Sequence, residues 1–240
     1  MFKGKRVKSK WVEDYKVVGG SRIVRSSLVA MEFACDTRCD TFAGTPPLIA
    51  VRLGLALAAS LVGPSGQKKK MMIGLYDVSV AFYHATIDQD IYVLPPKGEE
   101  EDGWAWQLQK AMHGARRASL LFQNYVMGIL ASIGVVRLKV ACQVLWHKER
   151  VIYLVVHADD FMATAEPEGM EWMDHQLSEA FEIKAEGRVG PPQLGGRASG
   201  AFLRRAIGWT SAGSSWTGDP APAQSIIEAG GGGRAAPQRG

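Results

Sequence analysis

The chain has 240 residues, 47% of them hydrophobic, with mean hydropathy close to zero and a formal net charge of +4. That length suits one large domain or two small ones, and the composition excludes a disordered or fibrous chain. Cys35, Cys39 and Cys142 are too few and too scattered for a disulfide framework and argue for a reducing compartment.

The distribution of charge says more than its total. Residues 1–25 carry eight basic side chains, Lys3, Lys5, Arg6, Lys8, Lys10, Lys16, Arg22 and Arg25, against Glu13 and Asp14. Such a block is either an arm that contacts a polyanion or a solvated tail. The opening MFKGKRVKSK lacks the apolar core of a signal peptide. The longest apolar stretch, Leu48 to Val62, is too short to cross a bilayer and is broken by Arg52, so no membrane attachment is expected. Cys35 and Cys39 have the spacing of half a metal site, but no second Cys/His pair completes it.

In chain order, RIVRSSLVAMEFA (22–34) is the one clear strand-like patch of the first 44 residues. Thr45-Pro46-Pro47 then opens a helix over 48–60 that is apolar on most faces, hence buried. Residues 63–70 form a loop ending in three lysines. MMIGLYD (71–77) reads as a strand covered on both sides. A short extended piece closes at Pro95-Pro96, KGEEEDG (97–103) is an acidic loop tip, and Trp104 to Leu108 reads as a strand. Arg116 to Ile133 has helical periodicity, with Leu120, Leu121, Tyr125, Ile129 and Leu130 on one face. Val140–His147 and Val151–His157 are strands around the turn Lys148-Glu149-Arg150, and Phe161 to Ala165 comes next as another. Pro167 to Ala180 is a helix, with Met170, Met173 and Leu177 facing inward, and FEIKAEG (181–187) is a strand. From Arg188 the Gly/Pro-rich GPPQLGGRASG reads as a linker or long loop. AFLRRAIGW (201–209) is a last strand, SIIEAG a helix fragment, and GGGGRAAPQRG a disordered tail. The order fits an α+β domain whose sheet carries helices on one side.

The chemistry sits where VIYLVVHADDFMATA (151–165) breaks its apolar run with Asp159 and Asp160. Aspartates between two strands can simply be the turn. A second buried strand, however, ends in Asp77. If the two strand ends lie side by side, carboxylates about 4 Å apart repel by ~1 kcal/mol in water and ~4 kcal/mol near a protein surface. They then need either protonation or a cation. All-oxygen donors suit Mg²⁺ or Mn²⁺, and two such ions about 3.5–4 Å apart serve phosphoryl transfer. Because strand residues alternate in direction, Asp159 and Asp160 should contribute unequally, with Asp159 the direct bridging ligand. His157 beside them reads as a packing residue rather than a metal ligand.

At these residues the sequence resembles the reverse transcriptase of copia-type LTR retrotransposon Pol polyproteins, from about Arg25 to Glu228. LVAMEFACDTRCDTFAGTPPLIAVRLGLALAAS is similar to the fingers segment leading into the first palm helix, and DVSVAF (77–82) to the first catalytic block, Asp-Val-x-x-Ala-Phe. HATIDQDIYVLPPKG resembles the family's segment just C-terminal to that block. KAMHGARRASLLFQNY (110–125) is similar to the Leu-Tyr-Gly-Leu-Lys-Gln block, and VIYLVVHADD to the block usually ending Tyr-Val-Asp-Asp. FEIKAEG and AFLRRAIGW resemble the segments after the palm.

The resemblance implies a fingers-palm polymerase, with an antiparallel palm sheet packed on helices. Residues 1–70 would be the basic arm and fingers and 71–187 the palm, with 85–115 returning to the fingers. Residues 188–240 would be a linker, a palm-exit strand and a tail. Asp77, Asp159 and Asp160 would be the catalytic, Mg²⁺- or Mn²⁺-binding triad of an RNA-directed DNA polymerase. Phe82 would be the aromatic gate against a 2′-hydroxyl. Gly114 and Arg116 would lie near the nucleotide and template, and Arg25 would belong to the nucleotide site. The basic residues 3–25 would track the backbone of a primed RNA or DNA template, with dNTP as co-substrate.

The departures are Ser27 at the second basic position of the fingers block, His157-Ala158 for Tyr-Val, and Ser119-Leu120 for Pro-Arg. Ser27 stands where an arginine is expected to grip the triphosphate, and lowers the expected nucleotide affinity. Beyond Trp209 no ribonuclease H, integrase or protease block is found, as in an excised or eroded fragment. The implied location is a cytoplasmic virus-like particle or the nucleus. An inactive fold that retains nucleic-acid binding is the second reading. A nucleotide cyclase or another palm-type nucleotidyltransferase is a third, but it leaves DVSVAF and AFLRRAIGW unexplained.

Overall fold

The structure is a computed structural model that describes residues 3–33, 41–60, 70–139, 141–218 and 221–229. Cys35, Cys39, most of the expected lysine loop and the glycine-rich tail lie outside the described residues.

The chain begins with β1 (Lys5–Val7), then a long ribbon of β2 (Ser9–Val18) and β3 (Ser21–Ala30). Sequence patterning marks β3 and misses β2. Gly19-Gly20, both at positive φ, make the two-residue turn that matches strand twist. Helix α1 (Leu48–Ser60) comes next, at the expected bounds, and then β4 (Met72–Val78). A 3₁₀ turn at Ala81–His84 leads to β5 (Ile91–Val93) and the two-residue β6 (Trp106–Gln107). Then come α2 (Ala118–Ser132), β7 (Val136–Leu138), β8 (Ala141–His147), β9 (Ile152–His157) and β10 (Asp160–Ala165). Helix α3 (Pro167–Ala180) starts at its proline, as expected, and leads into β11 (Ile183–Val189). The remainder is β12 (Ser199–Phe202), β13 (Arg205–Thr210), β14 (Gly213–Gly218) and α4 (Ala221–Ala229).

Six strands form one antiparallel sheet in the order β11-β4-β10-β9-β8-β7. Its central strands are apolar at nearly every position because both faces are covered. Strand alternation sends Met72, Tyr76 and Val78 into one core with Phe122, Met170, Met173 and Leu177 of α2 and α3. Ile73 and Leu75 face the other way, packing with Val51 and Leu55 of α1 and with Phe202 and Ile207. The expectation of helices on one side is therefore corrected. Helix α1 lies on the second face, held by Tyr153 Oη donating to Ala50 O (3.0 Å) and Thr164 Oγ1 donating to Gly54 O (3.2 Å).

The Gly/Pro-rich stretch is not a linker in this structure. It passes through a 3₁₀ turn at Pro192–Leu194 into the three-stranded sheet β12-β13-β14, which helps to close the second core. AFLRRAIGW is two strands rather than one, because Leu203 and Arg204 both take left-handed φ and reverse the chain. Apolar periodicity marks extended chain but does not register a turn made without glycine.

Candidate active site

Asp77 and Asp160 are direct partners in the β4–β10 register, so their side chains share a face. The turn between β9 and β10 is Ala158–Asp159, with Ala158 left-handed at φ 53°. Asp160 is thus the first residue of β10 and not a turn residue. Val78 N donates to Asp159 O at 2.9 Å, stitching the turn to the end of β4. Asp159 is exposed, while Asp77 and Asp160 are half-buried.

Electrostatics single out Asp160. Desolvation pushes its carboxyl up to about 6, and the charges of Asp159, Asp77 and Glu186 add to the rise. Four carboxylates thus share one field, which is what a divalent cation relieves. Glu186, at the bulge of β11 between Ala185 and Gly187, was not singled out in the sequence. No short motif marks it, since the bulge alone brings it here. Among the described residues, no three His, Cys, Asp or Glu side chains already converge as a closed metal cage. The donor set fits a hard cation in type and charge, and its closure would have to come with the ion.

Phe82 sits on the 3₁₀ turn after β4. Val80 before it takes φ 47°, an unusual conformation for a β-branched residue. The Phe82 ring meets His113 edge-on at 4.5 Å between centroids, and Phe122 at 6.1 Å. His113 is a second site residue that sequence reading passed over, although it stands next to Gly114. Desolvation lowers its pKa, and Arg25 lowers it further against the opposing pull of Asp159. His113 thus lies within electrostatic range of both Arg25 on β3 and the Ala158–Asp159 turn.

The loop that carries His113, Gly114 and Arg116 is bound to the end of β3. Ala30 N donates to His113 O (2.8 Å), and Glu32 N donates to Gly114 O (3.3 Å). Gly114 has φ 84°, and a Cβ there would lie 1.8 Å from Ala30 O. Only glycine fits. Arg116 N donates to Glu32 Oε2 (2.9 Å), and Lys5 Nζ reaches Glu32 Oε1 (2.8 Å). Burial pushes the Glu32 carboxyl up, but Lys5 and the Arg116 N–H more than offset this and hold it below its usual value.

The structure thus gathers Asp77, Asp159, Asp160 and Phe82 at one sheet end, with Gly114 and Arg116 on the adjoining loop. Arg25 is exposed on β3 of the ribbon, and among the described residues no hydrogen bond or ion pair joins it to the three aspartates. Lys5 serves an internal ion pair, whereas Lys3, Arg6, Lys8, Lys10, Arg22 and Arg25 are exposed. Trp11 and Tyr15 stand out among them, with Arg22 stacked 3.7 Å over the Tyr15 ring. No helix among the described residues is long and apolar enough to cross a membrane.

Residues 3–191 match the family described as reverse transcriptase (RNA-dependent DNA polymerase). A putative transposon Ty5-1 protein of Saccharomyces cerevisiae is 29% identical over 119 residues, 47% of this chain and 39% of that protein. The retrovirus-related Pol polyprotein from transposon TNT 1-94 of Nicotiana tabacum is 26% identical over 204 residues, 80% of this chain and 14% of that protein. The chain therefore spans well under half the length of these relatives. Among solved structures, telomerase from Candida albicans in complex with a TWJ fragment of telomeric RNA aligns with a TM-score of 0.50 at 10% identity. That alignment covers 91% of this chain and 46% of that one, and speaks for the fold alone.

Proposed function

The chain belongs to the reverse transcriptase (RNA-dependent DNA polymerase) family, in its copia-type retrotransposon branch, and from that premise we propose that it carries out template-directed DNA synthesis. The observation that carries the reading is the Asp77–Asp160 register, with Asp159 in the adjoining turn. It supports a palm made of the six-stranded sheet with α2 and α3. The β2–β3 ribbon and the segment 85–115 would then be fingers.

In this reading Asp77, Asp159 and Asp160 hold Mg²⁺ or Mn²⁺. The ions, when bound, lower the pKa of a primer 3′-hydroxyl and neutralise the triphosphate. Asp159, exposed in the turn, is the carboxylate best placed to meet an incoming ion from solvent. Asp160, half-buried and crowded by Asp159, Asp77 and Glu186, gains most from the added positive charge. Phe82, packed edge-on against His113 and Phe122, would be the ring that discriminates against a 2′-hydroxyl. Gly114 and Arg116 hold the loop facing the nucleotide, and the exposed cations of residues 3–25 supply backbone contacts to the primed template.

A second reading, an eroded fold that binds nucleic acid without catalysis, draws support from Ser27 in place of a basic residue. Mg²⁺- or Mn²⁺-dependent primer extension on an RNA template separates the two, with Asp159→Asn as the control. Extension abolished by that change supports the enzyme. Folded protein that binds the primed template yet never extends it supports the eroded fold.

A further inference from the structure

Helix α4 (Ala221–Ala229) has nine residues, is about 14 Å long and carries Pro222 in its first turn. Helices shorter than about 12–15 residues are marginal in water and depend on burying an apolar face. Gln224 to Glu228 are nevertheless all exposed, with Ile226 at 72% and Ile227 at 57%. The hydrogen bond from Gln224 Nε2 to Glu228 Oε1 (3.3 Å) is a weak i,i+4 contact that cannot hold the helix alone. Something has to cover the isoleucines.

A matching surface lies beside the strand that precedes α4. Between α1 and β14 runs a groove of about 470 Å³, walled by Arg52, Ala56 and Ser60 on the helix and by Ser214 and Trp216 on the strand. A Cβ on Gly213 would touch Ala59 Cβ, and Ser214 Oγ donates to Leu55 O at 3.0 Å, so β14 runs back along α1. At helical spacing Ile49, Arg52, Leu53 and Ala56 share one face of α1, and all four are exposed. Arg52 is the one charged side chain among the described walls of the groove. Among the described residues it has no hydrogen bond or ion pair, and Glu228 has no cationic partner.

We propose that α4 is a strap that docks in cis into the groove between α1 and β14. Ile226 and Ile227 pack on Leu53 and the Trp216 ring, and Glu228 pairs with Arg52. The tether selects this occupant over a free partner. Strand β14 ends at Gly218 and α4 begins three residues on, a step of at most about 11 Å. A segment held that closely meets its groove at an effective concentration of about millimolar. Docked, α4 covers the outer side of the second core, to which Trp216 contributes. The strap uses none of the residues given to metal, nucleotide or template, so primer extension does not decide it.

Amide hydrogen exchange on the full chain is the test. In the wild-type protein the amides of Ile226, Ile227 and Glu228 should exchange about tenfold or more slower than in an unstructured chain, which an undocked helix of this length cannot achieve. Arg52→Glu and Ala56→Glu alter the groove from exposed positions outside α4, leaving its own helix propensity unchanged, and circular dichroism checks their folds. Each should lower the protection by about threefold or more. Adding Glu228→Arg to Arg52→Glu should restore it, and failure of that rescue overturns the ion pair. The strap is overturned if the wild-type amides exchange at unstructured rates, or if neither groove variant changes them. Protection that rises with protein concentration also overturns it, and assigns the groove to a second copy.

Discussion

Asp77 and Asp160 stand directly opposite one another on adjacent antiparallel strands, with Asp159 in the turn beside them and Glu186 across the bulge. The fold holds them together at a cost that a bound cation would relieve. Asp160 carries most of that cost.

Asp160→Asn is expected to stabilise the metal-free protein while weakening cation binding. With its folded carboxyl at about 6, above the ordinary 3.8, Asp160 is neutral in the fold at a pH where it is ionised in the unfolded chain. Its favourable contribution is therefore present at low pH and is lost as pH rises through the window from about 4 to 6. At pH 7.5 the variant should gain roughly 1–2 kcal/mol, after discounting the full shift for partial exposure. Below pH 4 the gain should vanish. Thermal unfolding at the two pH values checks both statements. Equal stability at pH 7.5 would show that Asp160 is not strained.

Gly114→Ala should lower stability by about 2–4 kcal/mol and release the loop from β3. The added methyl meets the Ala30 carbonyl, and the left-handed backbone adds strain of its own. Amide exchange at Ala30 and Glu32, whose N–H groups are bonded to this loop, should rise in step.

Glu32→Gln should cost about 1–3 kcal/mol at pH 7, because it replaces a buried carboxylate held by Lys5 and the Arg116 N–H. The Glu32 pKa is lowered in the fold, so its stabilisation is present above about pH 4.5 and is lost as pH falls through the folded value. Urea midpoints of the two proteins should therefore converge on acidification. A constant gap down to low pH would count against the ion pair.

Tyr76→Phe should cost about 1–2 kcal/mol without altering the Asp77 end of β4. Tyr76 Oη donates to Asp174 Oδ1 at 2.6 Å, and Arg188 donates to Asp174 Oδ2 at 2.5 Å, tying β4 to α3 and β11. Asp174→Ala should cost more, since it leaves the buried Tyr76 hydroxyl only the weak acceptor Met170 Sδ at 3.2 Å and takes the carboxylate from the Arg188 guanidinium. Chemical denaturation of the two variants orders them.

Local chemistry made much of this legible in sequence. Leu48–Ser60 and Pro167–Ala180 announce themselves by proline at the start and by apolar content. The strand-end aspartates stood out because two separate apolar runs, MMIGLYD and VIYLVVHADD, both end on carboxylates. The features that stayed hidden depend on contacts distant in sequence. Strand β2 has too many charges to look like a strand, and only its pairing with β3 defines it. Glu186 enters the site through a bulge, and Leu203-Arg204 reverses the chain without a glycine.

The claim that Asp77, Asp159 and Asp160 form one divalent-cation site is tested most directly by Mn²⁺ titration monitored by electron paramagnetic resonance. The account predicts that the folded protein removes the free-ion signal, with affinity rising as pH passes through about 6 and Asp160 ionises. It predicts a loss of about tenfold or more in Asp77→Asn, and again in Asp160→Asn. Mn²⁺ binding unchanged in both variants, or absent from the folded wild-type chain, would contradict it.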